Sequence, residues 1–188
     1  ARLGHVGLVC VAFFGAEPGV PLLATAILGE SSAAGGLALT GATLTWTAGA
    51  WVQARLVRTR SRRALVAAGC LVIALGIGAV AASTVATAPI GVVWAAWSVT
   101  GLGMGLTHAT VSLIVLEEAP AGGEGHASAA MQLANVIGAA LGAGILGAMV
   151  ATGIDPAHGL LLGFAATGAA AVLATAAASR LPASPARG

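Results

Sequence analysis

Between Arg63 and Glu117 the chain runs through 53 residues, from Ala64 to Leu116, without an Arg, Lys, Asp or Glu. Ser31–Ala54, Gly125–Ile154 and Pro156–Ser179 are likewise free of formal charge. About 20 helical residues at about 1.5 Å each cross the hydrocarbon core of a bilayer, so uncharged apolar runs of this length read as membrane spans. A soluble domain carries about 25% charged residues. This chain has 7%, against 58% hydrophobic residues, and lacks the polar surface to cover itself in water. The expectation is an all-α integral membrane protein.

Gly, Pro and charge divide the chain into six predicted spans: Val6–Leu28, Ala34–Ala54, Ala64–Ser83, Ile90–Leu116, Ala127–Thr152 and His158–Ser179. The segments between them, "GESS", "RLVRTRSRR", "TVATAP", "EEAPAGGEG" and "GIDPA", are loop-like in composition. Residues 1–182 are read as one six-helix bundle and 183–188 as a cytoplasmic tail. With an even number of spans and a cytoplasmic N-terminus, all eight Arg fall on the cytoplasmic side, as the positive-inside rule requires. Trp94 and Trp97 are expected near the outer interface and Trp51 near the inner one, with Trp46 deeper.

Charge excludes nucleic acid as a partner. The net charge is only +2, and five of the eight Arg cluster at Arg55, Arg58, Arg60, Arg62 and Arg63, where topology and headgroup contact account for them. This loop could also salt-bridge to the acidic 117–125 loop, since both are expected inside. Cys10 and Cys70 lie inside spans without a CxxC pattern and are read as packing residues. No metal, disulfide or cofactor is implied. An intramembrane hydrolase would need a nucleophile beside a base, and no GxSx segment has a plausible His partner. The chain begins with Ala and has no signal pattern, which reads as a piece of a longer protein.

Helix packing is expected at Gly101 and Gly105 in span four and at Gly138 and Gly142 in span five. Small residues four apart let helix backbones approach closely in a membrane. Gly144 and Gly147 extend the series. The polar residues within the spans are the functional candidates. His108 lies eight residues above the end of span four and Asn135 eight above the start of span five, so both sit about 12 Å in. With Gln132 they could line a wet cavity or bind one another, and His108 could relay protons.

Glu17 is the sharpest candidate. It falls near the middle of span one, where an ionised carboxylate costs at least about 2.5–3.5 kcal/mol, so it is read either as coupling substrate or protons or as a protonated group bonded to a neighbouring helix. Pro18 and Pro21 remove backbone donors beside it and should bend or loosen the helix.

Two long stretches, "GLALTGATLTWTAGAWVQARLVRTRSRRALVAAG" and "GLGMGLTHATVSLIVLEEAPAGGEGHASAAMQLANVIGAALGAGILGA", resemble drug-efflux members of the major facilitator superfamily. The "GAEPGVPLL" opening is similar to the first helix of the C-terminal half of many bacterial members. The resemblance runs from Phe13 to Gly168. It implies the C-terminal six-helix half-bundle of a drug:proton antiporter, built of two inverted three-helix repeats, in a bacterial-type inner membrane with both termini cytoplasmic. "SAAGGLA" (Ser32–Ala38) and "SAAMQLA" (Ser128–Ala134) fit such a repeat. The implied partners are the lipid bilayer, an N-terminal six-helix half, protons and a small amphipathic substrate, for which Trp46, Glu17, His108, Gln132 and Asn135 are the candidate contacts. The family's interhelical signature is not kept: Ala54, Arg58 and Ser61 stand at its Gly, Asp and Gly positions. Thr107–His108–Ala109 replaces the proline that relatives often carry after the Gly-rich turn. The resemblance thus implies architecture and general activity, and no substrate site. A stand-alone six-helix channel or scaffold is the alternative.

Overall fold

The structure is a computed structural model describing residues 2–86 and 88–181. Among these residues every regular element is helical: α1 (Arg2–Ala16), α2 (Gly19–Leu22) followed by a π-helical turn (Leu23–Ile27), α3 (Ser32–Leu56), α4 (Arg62–Ala86), α5 (Ile90–Glu117), α6 (Glu124–Thr152) and α7 (Pro156–Ala177), closed by a 3₁₀ turn (Ala178–Arg180). The expected tail, 183–188, lies outside the described residues.

Local chemistry sets the ends. Ser31 caps α3 by accepting from the Ala34 N–H at 3.2 Å, and Asp155 caps α7 by accepting from the His158 N–H at 2.8 Å, with Pro156 at the first helical position. Pro89 precedes α5. Gly29, at φ +69°, turns the chain between the π segment and α3, a conformation that side chains with a Cβ resist.

The stretch Leu3–Ile27 is one membrane-length rod, broken internally. Pro18 and Pro21 cannot donate to carbonyls four residues back, so α1 stops at Ala16 and a turn at Glu17–Pro18 follows. Helical bonding then resumes in α2, with the Leu23 N–H bonding to the Gly19 carbonyl, and the chain passes into π spacing, Leu28 N–H to Leu23 O at 3.1 Å.

Among the described residues five helices are long and apolar enough to span a membrane: Leu3–Ile27, α4, α5, α6 and Pro156–Arg180. Against the six predicted, α3 is the exception; it has 25 residues but is too rich in Thr and Gly to pass on hydropathy. Its exposed hydroxyls are nonetheless satisfied within the helix. Thr40, Thr43 and Thr47 each donate to the carbonyl four residues back, at 3.1, 3.0 and 3.2 Å. Such back-bonding lowers the cost of a hydroxyl in an apolar medium. Six membrane-length rods are therefore present among the described residues, five of them apolar.

α5 packs along both α3 and α4, α1 packs along α6, and α7 joins the two groups through α4, α6 and α1. α5 and α6 touch only sparsely. Glycine sets the closest approaches. A Cβ on Gly142 would lie 2.7 Å from the Gly15 Cα, and one on Gly138 would lie 2.7 Å from the Gly7 carbonyl, so α1 and α6 meet backbone to backbone. On α5, Gly101 rests against the Ala42 carbonyl and Gly105 against the Trp46 carbonyl of α3. Gly144 and Gly147 face open space.

At one end of the bundle, the arginine end, Arg62 pairs with Glu117 in a salt bridge that ties α4 to α5, including a 2.9 Å hydrogen bond. Arg63 donates twice to the Leu181 carbonyl, at 3.0 and 2.8 Å, tying α4 to the end of α7. Arg55 lies over the exposed Trp51 ring, 3.1 Å from its centroid. Arg58 and Arg60 are exposed.

Candidate functional site

Sparse contact between α5 and α6 leaves a gap, and α1 and α3 wall it. The result is an open cavity of about 280 Å³ lined by Phe14, Trp46, His108, Gln132, Asn135, Val136 and Ala139. Four sequence candidates on three helices therefore share one space: Trp46 from α3, His108 from α5, and Gln132 and Asn135 from α6. The last two are three residues apart, so they lie on one helix face.

The polar wall is internally connected. The Asn135 amide nitrogen donates to Gln132 Oε1 at 3.3 Å, and its oxygen accepts from the Cys10 thiol at 3.1 Å. The same side chain reaches the His108 imidazole. Hydrogen bonds between membrane helices are worth about 0.6–2 kcal/mol each. Gln132 is exposed, while Asn135 and His108 are half-buried.

The opposite wall is aromatic. Trp46 lies 5.7 Å from His108, 5.4 Å from Phe13 and 6.0 Å from Phe14 between ring centroids, and Phe13 stacks on Trp97 at 5.2 Å. Edge-on and offset aromatic pairs of this kind add about 0.5–1.5 kcal/mol beyond area burial and hold the rings in place. The cavity thus presents a fixed aromatic surface facing two amides and an imidazole. It can stack against a flat apolar group while hydrogen-bonding a polar one.

Glu17 is not among the lining residues. It is half-buried at the break after α1, three residues beyond Phe14, about 4.5 Å further along the axis. Cys10, Phe14 and Glu17 follow the i, i+4, i+7 spacing of one helix stripe, so Glu17 continues the face that bounds the cavity.

Two expectations need correction. Cys10 is fully buried, as a packing residue would be, but its thiol also orients Asn135. Trp97 is no interfacial anchor: it is fully buried, because Phe13 covers its face. Trp94 does keep a polar contact near the far end, donating to the Ala34 carbonyl at 2.9 Å. Sequence reasoning missed Phe14 and Phe13 as site residues. The available signal was the "FF" pair one turn before Glu17, with Phe14 four residues after Cys10.

The helical fold agrees with what this chain is similar to. The sequence profile described as Major Facilitator Superfamily matches residues 4–143. Probable multidrug-efflux transporters from two strains of Mycobacterium tuberculosis are 32% identical over 184 residues, covering 93% of this chain and 34% of theirs. The chain therefore spans about a third of the length of these curated relatives. The inward-open xylose transporter XylE from E. coli matches with a TM-score of 0.78 at 15% identity, over 98% of this chain and 47% of that one. The proton:xylose symporter XylE bound to 6-bromo-6-deoxy-D-glucose matches with a TM-score of 0.81 at 16% identity, over 97% and 44%. At such identities the likeness is one of fold. Profile and fold agree over most of the chain, which belongs to the major facilitator superfamily.

Proposed function

We propose that this chain is the C-terminal six-helix half of a transporter that exports small amphipathic compounds in exchange for protons, by alternating access. One observation carries the proposal: the α1–α3–α5–α6 cavity sets an aromatic wall of Phe14 and Trp46 against the His108, Gln132 and Asn135 side chains. Amphipathic solutes need both surfaces. Export is suggested by the printed names of the 32%-identical relatives, and a further half by the fraction of their length this chain covers.

In this scheme residues 1–182 form the half-bundle and 183–188 a cytoplasmic tail. The two inverted repeats are α1–α4 and α5–α7, with Ser32–Ala38 and Ser128–Ala134 heading corresponding helices. Both termini face the cytoplasm of a bacterial-type cell membrane, because that places every Arg inside. Substrate lies between the halves, near the bilayer midplane. Glu17, beside the helix break, exchanges the coupling proton, and His108 in the cavity senses substrate or relays that proton. The glycine seams at Gly101, Gly105, Gly138 and Gly142 let helices shift as the halves rock.

The test is transport by the full protein in proteoliposomes with an imposed pH gradient. Proton-driven movement of an amphipathic fluorophore that Trp46→Ala and Asn135→Ala each reduce about tenfold is the expected result. Gradient-independent leakage that those variants leave unchanged would instead support the channel or scaffold alternative.

A further inference from the structure

Around the first turns of α1, at the arginine end, lies a groove that the solute cavity does not use. Its mouth is a cavity of about 480 Å³ lined by Glu118 just after α5, His126 in the first turn of α6 and Arg180 at the end of the 3₁₀ turn. All three residues are exposed. Leu3, Ala127 and Ala130 supply the apolar part of the same wall.

From Leu3 the opening continues into a second cavity, a trough of about 370 Å³ along the α1–α6 seam, lined only by glycine and hydrocarbon side chains. Ala127 and Ala130 in the mouth and Ala134, Ile137 and Leu141 in the trough repeat at three- and four-residue steps, so one face of α6 runs through both. Across from it Gly4 and Gly7 keep the trough open, since a Cβ on either would meet nothing within 4 Å. From Ala127 to Leu141 the groove is about 21 Å long at about 1.5 Å per helical residue. One bilayer leaflet, headgroup included, is about 20–22 Å deep. A third recess, of about 230 Å³, lies between Gly4 and Leu8 of α1 and Ala177 and Leu181 after them, and shares Arg180 with the mouth. Two largely apolar recesses therefore meet beside one guanidinium.

We propose that this groove holds one phospholipid with an ethanolamine headgroup. Its phosphate sits on Arg180 and His126 and its ammonium on Glu118. One acyl chain follows the α1–α6 trough, and the other lies against Ala177 and Leu181.

Charge of both signs in one mouth selects the headgroup. The planar guanidinium fork matches phosphate oxygens, and an imidazole N–H adds a further hydrogen bond. A glycerol headgroup would bring only its negative phosphate toward the Glu118 carboxylate. Ethanolamine presents an ammonium with three N–H donors to it. Choline carries the charge but has no N–H to donate. The trough selects a lipid over a soluble phosphate compound, because its length offers hydrocarbon and no hydrogen-bonding side chain.

The test uses the purified, delipidated full protein, equilibrated in detergent with equal amounts of phosphatidylethanolamine and phosphatidylglycerol of matched acyl chains. Native mass spectrometry counts the lipid retained. Wild type should hold one phosphatidylethanolamine at least fivefold in preference to phosphatidylglycerol. Glu118→Gln should abolish the preference, and Arg180→Ala should weaken retention of both lipids at least tenfold. Gly4→Leu with Gly7→Leu fills the trough and should lower retention equally, with Gly7→Leu alone used if melting curves show the double variant misfolded. Excess glycerophosphoethanolamine should not displace the lipid. Equal retention of the two lipids by wild type would mean an unselective lipid annulus and overturn the assignment. So would wild-type retention in the filled-trough variant, or displacement by the soluble headgroup.

Discussion

Asn135 accepts a hydrogen bond from the Cys10 thiol at 3.1 Å while donating to Gln132 at 3.3 Å, so one α6 side chain is fixed to α1 and aims its neighbour into the cavity. Removing the amide should disorder the polar wall more than it destabilises the fold. Asn135→Leu is expected to lower the stability of the detergent-solubilised protein by no more than about 2 kcal/mol. Transport should fall about tenfold. Parallel melting and uptake measurements separate the two effects.

The contact between Gly15 and Gly142 leaves no room for a side chain on either residue. Gly142→Val must push α1 and α6 apart, and overpacking typically costs about 1–3 kcal/mol. A melting temperature clearly below wild type is the expected outcome. Gly144→Val, at a position facing open space within this chain, should melt within experimental error of wild type.

The Arg62–Glu117 salt bridge sits at the arginine end, with the Glu117 side chain 43% exposed and that of Arg62 12% exposed. Solvent screens such a pair, so Glu117→Gln should cost no more than about 1 kcal/mol in thermal or denaturant unfolding. Arg62→Glu should cost more, since it sets two carboxylates side by side, and Glu117→Arg in the same chain should recover part of the loss.

Glu17 is bound into the proposed mechanism by position rather than by any observed partner. Glu17→Gln keeps the shape and removes the ionisable group. In the full protein it should leave membrane expression unchanged and abolish the dependence of efflux on the proton gradient. Equal gradient dependence in wild type and variant would remove Glu17 from the coupling step.

Legibility in the sequence followed the range of the forces involved. Helix number and placement were readable because burial in a bilayer acts on whole segments: α5 begins at Ile90, as Pro89 demands, and α6 ends at Thr152. α3 was placed correctly although its threonines depress its hydropathy, because the absence of charge, not apolarity, marked it. Gathering Trp46, His108, Gln132 and Asn135 depended on which helices part, and a single chain's periodicity does not encode that. The roles of Cys10 and Trp97 were hidden for the same reason. Each was assigned from its own helix, while Asn135 and Phe13, on other helices, decide what it does.

The central claim is that the aromatic and amide walls of one cavity hold the transported solute. Equilibrium binding of an amphipathic fluorophore to the purified full protein tests it most directly, with Trp46→Ala and Asn135→Ala compared with wild type after melting curves establish folding. The account predicts at least tenfold weaker binding in each variant. Wild-type affinity in both would contradict it.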